Sequence, residues 1–519
     1  TTDICPVGAL TTADFRFGAR PWELNEVPSI SPWDAAGENI SLSTRIDREF
    51  GGHTMIKRVM PRQNEFVNEI WISDKTRFGH HFTRSMDRLM TPMLRQGDNL
   101  RDTNWNSALN NIASSLQEAD GDIAALAGGF ATNEDLWELR QLVTGLGSER
   151  LGAWTTHGGA AVVAQAGMTD GANLGKLGKG DAVLIIASDL EEEVPLWRLR
   201  LKQAQDRGAY LVIANARHTR MEDFALDTWE ESNRVVEGAA IRYEAGQAVE
   251  AMLNLKKNHA EIADRLANAE NLVIVAGAEG LTQEGSKALS QAAANFLAET
   301  GHAGKANSGL LATLPGANGM GLHYMGFTPE SACDIAANPP KVLILLHADV
   351  LDDDPTAKAW LDKVNMVIDL SLFPDTTVYA ADYALPIQSF AERDGTYTNG
   401  ERRVQRFYTA QGPMGDALPA WKVFTTLREK LGQGRAKLSA AAVMLEISQS
   451  VEAFDGMRYK DLARTVRQFP DVGGDDKYYG GTAYQNKGGL GKQIPAQGAE
   501  KVSVSAPDAV TLRDGELLI

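Results

Sequence analysis

Cysteine is scarce in this chain, with only Cys5 and Cys333 in 519 residues. Two thiols so far apart in sequence cannot form a disulfide framework, and neither can complete a four-thiolate metal site within the chain. A self-contained iron–sulfur or four-thiolate zinc protein is thereby excluded. Positive charge is also in short supply: 51 Lys+Arg face 68 Asp+Glu, a formal net charge of −17. No basic tract appears, which argues against nucleic-acid binding, because that affinity rests on clustered cations that release counterions. Long apolar runs are missing too. The best of them, Ala182–Ala187 and Lys341–Leu346, fall well short of the roughly 18 consecutive apolar residues of a membrane helix, so no direct membrane span is expected. The chain opens on Thr1-Thr2-Asp3 with no initiator Met, basic n-region or Arg-rich leader. No targeting signal can be read there, and an incomplete N-terminus is expected.

What is present is ordinary globular composition, 43% hydrophobic and 23% charged, over a length that suits about three domains. From about Ser31 to Arg95 the pattern is strand-like; Ile40-Ser41-Leu42-Ser43 alternates as a half-buried strand does, and Gly97-Asp98 ends the run. Beyond it, apolar strands at Ile123–Ala127, Ala182–Ala187, Tyr210–Ala214, Leu272–Ala276, Val342–Leu346 and Met366–Leu370 alternate with helical stretches. That alternation predicts an α/β fold, with parallel sheets covered by helices on both faces and a small β-rich domain ahead of them. One helix is predicted over Pro195–Arg207, with Pro195 in its first turn, Gly208 after its last, and Leu196, Leu199 and Ala204 on its buried stripe. The sheet region divides into α/β units at about Asn104–Arg242 and Asn271–Leu385. Val472–Gln497 and Ala496–Ile519, poor in apolar residues, read as an extended tail that wraps a surface or partner.

Chemical motifs are few. No Gly-Lys pair is followed by Ser or Thr as a Walker A loop requires, and Gly316-Ala317-Asn318-Gly319-Met320-Gly321 has its glycines in the wrong order for a dinucleotide fingerprint. Glu191-Glu192-Glu193 follows a strand end, where open sheets place ligands, yet helix-capping acids explain it better than a cofactor rim. Asp352-Asp353-Asp354-Pro355 gets the same reading. The nine histidines show no H-E-x-x-H or H-x-H spacing, so each is expected to be a surface or turn residue rather than a metal ligand. Cys333 reads as a small buried hydrophobe. Cys5 differs, because Cys-Pro followed by a small, Gly-containing turn is how ferredoxin-type modules present their remote thiolate.

Taken together, Thr2-Asp3-Ile4-Cys5-Pro6-Val7-Gly8-Ala9-Leu10 and Ala19-Arg20-Pro21-Trp22-Glu23-Leu24 resemble the large iron–sulfur subunit of respiratory complex I (NADH–quinone oxidoreductase). The resemblance continues through Asp34–Ile40, Ser43-Thr44-Arg45, Asn68–Phe78, the molybdopterin-oxidoreductase-like blocks Ala381–Pro386 and Glu392–Gln405, and Tyr479-Gly480-Gly481-Thr482, which is similar to bacterial members.

The resemblance implies that Cys5 is the last of four thiolates holding a 4Fe-4S cluster on the path from NADH to quinone. The other three lie upstream in the family or on another chain. Some bacterial relatives hold an additional, off-path cluster at positions that here are Ser31, Asp34, Glu38 and Ser73; with no thiolate there, that cluster is expected to be missing. The α/β region resembles domains that bind molybdopterin in formate dehydrogenase and its relatives, but no molybdopterin is expected here. The implied layout is 1–28, the end of a ferredoxin-like domain; 29–95, the small β-rich domain; 96–430, two α/β units; and 431–519, a helical segment and tail. The implied role is electron transfer and scaffolding in the peripheral arm, with the NADH/FMN-binding and quinone-module subunits as partners. The setting would be the cytoplasmic face of a bacterial inner membrane, or the matrix side of the mitochondrial one. A molybdopterin-dependent oxidoreductase subunit and a purely structural subunit remain the alternatives. No catalytic acid, base or nucleophile is expected in this chain.

Overall fold

The computed structural model describes residues 9–48, 51–169, 171–227, 236–462, 490–498 and 501–507. Cys5 and most of the tail therefore lie outside the described residues. Asn25–Ile30, Asn39–Asp47 and His53–Pro61 form an antiparallel sheet at the N-terminal end. The middle strand is buried on both faces and not half-buried as its alternation predicts. Its serines are covered because the sheet packs against the rest of the protein: Ile40 and Leu42 meet Phe390, Tyr397 and Phe407, while Ser43 Oγ donates to Glu26 (2.6 Å).

Five parallel strands make the second sheet, in the order Gly238–Arg242, Tyr210–Asn215, Ala182–Ile186, Leu272–Ala276 and Gly309–Ala312. The largest sheet runs Asn99–Asp102, Met93–Gln96, Tyr383–Pro386, Met366–Ser371, Val342–Leu346, Ile123–Ala127 and Leu151–Ala153. Its last five strands are parallel, and the first two form an antiparallel edge hairpin. The two α/β units are thus not consecutive. The chain leaves the large sheet after Ala153, builds the five-stranded sheet, and returns at Val342. Apolar runs reveal that strands are buried on both faces, but they carry no label for the sheet each one joins. Met93–Gln96, read as the end of the small β-rich stretch, is likewise hydrogen-bonded into the large sheet.

The predicted helix spans Pro195–Asp206, and Gly208 takes φ +99° just beyond it, a conformation that costs glycine little. Its buried face is rotated from the predicted stripe. Leu199 is only partly buried, whereas Arg200 is 1% exposed. The guanidinium reaches outside the helix: Nη2 donates to Asn173 Oδ1 (2.6 Å) and to the Glu65 carbonyl (3.0 Å), and the group ion-pairs with Glu69. Arg200 thereby fastens the 62–73 segment to the α/β body.

A last antiparallel sheet joins Gly395–Thr398, Arg403–Phe407 and Lys492–Gln493. Further along, Val502 exchanges two backbone hydrogen bonds with the Asn295 side chain (2.6 and 3.0 Å). These described parts of the tail lie on the body.

Candidate functional site

Ser31, Asp34, Glu38 and Ser73 gather in one buried polar cluster, although they come from two loops. Ser73 caps the helix Asp74–Phe78, its Oγ accepting from the Thr76 N–H. The Ser73 N–H points between the carboxylate oxygens of Glu38, 3.1 Å from each. Thr76 Oγ1 bridges the serines, 2.7 Å from Ser31 Oγ and 3.2 Å from Ser73 Oγ. Asp34 Oδ1 accepts from the Ala36 N–H (3.0 Å), while Oδ2 is buried without a partner. Burial pushes the Glu38 carboxyl up to about 8, with nearby Asp34 adding to the rise. Burial likewise lifts Asp34 to about 6. The two titrate as a pair, and near neutrality the pair holds at least one proton.

Hard oxygens, one of them protonated, do not suit an iron–sulfur cluster, which is held by thiolates. Thr76 is the member that sequence reasoning missed, although Ser73-x-x-Thr76 is the spacing at which a capping serine meets the third helical residue.

The Glu392–Gln405 stretch supports this cluster from beneath. Asn399 Nδ2 donates to the Ala36 carbonyl (2.8 Å), Gln405 Nε2 to the Gly37 carbonyl (2.8 Å), and Asn39 Nδ2 to Gln405 Oε1 (2.6 Å). Gly37 has φ +57° and lies tight against Asn399 and Gln405, which favours glycine there. At the start of the stretch, Arg88 and Glu392 form a fully buried two-pronged pair (2.8 and 3.0 Å), and Arg393 donates to Asp135 (2.6 Å). The motif's polar side chains are spent on the fold.

An open cleft of about 420 Å³ lies at the carboxyl ends of Val342–Leu346 and Met366–Ser371, the end of a parallel sheet at which ligands bind. Trp33, Phe82, Phe130 and Phe390 wall it, and Asp349 and Asp375 stand at its rim. Burial and the neighbouring Asp375 carboxylate raise Asp349 to about 6. His347, at φ +50°, is pushed down to about 3 by burial and has an unpartnered Nε2. Arg393 is the cation lining the cleft among the described residues, and Asp135 already engages it. Carboxylates without a free cation do not suit the diphosphate of a pterin dinucleotide.

The acidic rim of the five-stranded sheet caps a helix and pairs with neighbouring side chains. Asp189 caps Leu190–Glu193 (3.3 Å to the Glu191 N–H), Arg220 pairs with Glu191 (3.0 Å), and Ser188 donates to Glu193 (2.9 Å). In the other acidic run, Asp354 accepts from the Thr356 N–H (2.9 Å) next to Pro355.

Two sequence readings need correction. Cys333 is exposed. In the helix Pro329–Ala337 the buried positions are Ala332 and Ile335, and Cys333 sits off that face. Nor are all the histidines at the surface: His80, His157 and His302 are buried. Backbone groups satisfy the last two, His157 Nε2 meeting the Ala276 carbonyl (3.1 Å) and His302 Nε2 the Ala269 carbonyl (2.9 Å).

The profile of the molybdopterin oxidoreductase family matches residues 88–430, well over half of the chain, and the chain belongs to that family. Ahead of it, residues 24–81 match the "NADH-ubiquinone oxidoreductase NDSU1/NuoG-like, 4Fe-4S domain". The chain is similar to the mitochondrial NADH-ubiquinone oxidoreductase 78 kDa subunit of Candida albicans, at 27% identity over 98% of this chain and 69% of that protein. The subunit of the same name from Neurospora crassa is 28% identical over 87% of this chain and 58% of its own length. The mitochondrial NADH dehydrogenase (ubiquinone) iron-sulfur protein 1 of Solanum tuberosum is 28% identical over 86% and 56%. Among solved structures, acetylene hydratase from Pelobacter acetylenicus shares the fold, with TM-score 0.59 at 13% identity over 84% of this chain and 73% of that one.

Proposed function

We propose that this chain is an electron-transfer and scaffold subunit of the peripheral arm of an NADH–quinone oxidoreductase. The observation that carries the reading is the joint match: a NuoG-like 4Fe-4S domain at 24–81 directly ahead of a molybdopterin oxidoreductase body at 88–430. Cys5 is one thiolate of a 4Fe-4S cluster, the other three lying upstream or on another chain. When bound, that cluster supplies a one-electron relay. The remaining residues hold the relay segment, build the α/β body and dock neighbouring subunits, namely those that carry NADH/FMN and the quinone module.

The body works without molybdopterin. Its cleft offers carboxylates, aromatic walls and an arginine already committed to Asp135. Proton translocation belongs to the complex as a whole. The site of action is the cytoplasmic face of a bacterial inner membrane, or its matrix-side counterpart. No helix among the described residues is long and apolar enough to cross a membrane, which fits attachment through partner subunits.

Metal and cofactor analysis of the chain isolated with its partners tests the reading. Iron and acid-labile sulfide without molybdenum, tungsten or pterin is the expected result. Stoichiometric molybdenum or tungsten with a bound pterin would establish the molybdoenzyme instead.

A further inference from the structure

Two neighbouring histidines and one aspartate from separate segments meet at the surface of the small β unit. Asp14, His80 and His81 each offer one ligand atom, and these atoms lie within 4.8 Å of one another. Asp14 comes from the turn before Phe15, whose ring packs under the Arg58 guanidinium (4.7 Å). The histidines follow the helix Asp74–Phe78 and its closing Gly79.

The surrounding hydrogen bonds orient His80 and Asp14 for a cation. His80 Nδ1 lies 3.2 Å from the Arg77 carbonyl; a carbonyl only accepts, so Nδ1 carries the proton and the Nε2 lone pair is left open. Fixing one imidazole nitrogen on a backbone carbonyl is how ligating histidines are oriented. Burial, with His81 beside it, lowers His80 to about 4, so the ring is neutral. Burial pushes Asp14 upward, but hydrogen bonds from Thr12 and the Phe15 N–H outweigh it and hold the carboxyl below its ordinary range. His81 Nε2 stands 3.5 Å from Asp14 Oδ2, and the two imidazoles stack with centroids 4.2 Å apart.

From this convergence we infer that Asp14, His80 and His81 form a binding site for a first-row divalent cation such as zinc, which clips the 9–20 segment to the small β unit. Two imidazoles and a carboxylate form the donor set of a borderline metal, with remaining positions left to water. Ligands at about 2.1 Å in a tetrahedron stand about 3.4 Å apart, so the three must close by about an ångström. His81, with 65% of its side chain exposed, and Asp14, at 27%, have room to do so. The clip acts on the segment that leads back in sequence to Cys5, and it does not depend on whether Cys5 holds a cluster.

Zinc titration by calorimetry tests this, using the full chain carrying Cys5→Ser and Cys333→Ser so that no thiolate competes. One equivalent is expected to bind, and D14N and H81A are each expected to weaken it at least about tenfold. H218A is the control, because His218 and Asp223 form another surface histidine–carboxylate pair (2.8 Å); it should bind zinc as the parent does. Zinc should also slow tryptic cleavage after Arg16 in the parent but not in D14N. Absence of saturable binding, parental affinity in both D14N and H81A, or loss of binding in H218A would overturn the assignment.

Discussion

The Ser73 N–H is shared between the two carboxylate oxygens of Glu38 at 3.1 Å each, inside a cluster where Glu38 has no exposed surface. A backbone donor and a buried acid join the 31–38 loop to the helix at 74–78. The consequences for pH follow from the proton that the acid keeps.

The folded Glu38 carboxyl sits near 8, against an ordinary value of 4.5. A raised acid pKa stabilises the fold below the unfolded value, and that contribution is lost as pH rises from about 4.5 to about 8, at no more than about 1.4 kcal/mol per pH unit. Glu38→Gln keeps the neutral form at every pH. Urea unfolding of both proteins between pH 5 and 8 should show E38Q gaining on the parent as pH rises. A difference independent of pH would mean that Glu38 is ionised in the fold.

Arg200→Ala removes a buried guanidinium that meets Glu69, Asn173 and the Glu65 carbonyl at once. Stripping one partner from such a group costs about 3 kcal/mol. Chemical denaturation should report a loss of that size, with proteolysis beginning in the 62–73 segment. A loss below about 1 kcal/mol would show that this fastening contributes little.

The convergence of Ser31, Asp34, Glu38 and Ser73 makes a constructive prediction. Changing all four to cysteine, followed by anaerobic reconstitution with iron and sulfide, should add about four irons per chain. Restoring Ser31 alone in that variant should reduce the gain. No additional iron in the four-cysteine chain would mean that these positions are neighbours without being a cluster site.

Much of this structure was readable in advance, and the exceptions share a physical cause. Leu272–Ala276 and Val342–Leu346 are strands with the bounds expected from their apolar runs, because a strand buried on both faces needs such a run whatever its partners. Sheet membership was hidden for the same reason, so the five-stranded sheet inserted after Ala153 looked like part of a linear series. Nothing in the sequence marks Arg200 as buried, because a charge in a helix ordinarily faces water; here carbonyl, amide and carboxylate partners from other segments compensate it. Asp14 and His80–His81 are far apart in sequence and match no ligand spacing. The buried cluster at Ser31, Asp34, Glu38 and Ser73 was visible only through family resemblance, since nothing in those four residue types marks them as neighbours.

The central claim is that Cys5 holds one corner of a relay cluster while the rest of the chain is scaffold. Electron paramagnetic resonance of the dithionite-reduced complex, with the parent chain and with Cys5→Ser, tests it most directly. The account predicts that one 4Fe-4S signal is lost or altered in the variant, while the complex still assembles and NADH-driven quinone reduction falls sharply. An unchanged set of cluster signals and parental electron transfer in Cys5→Ser would contradict it.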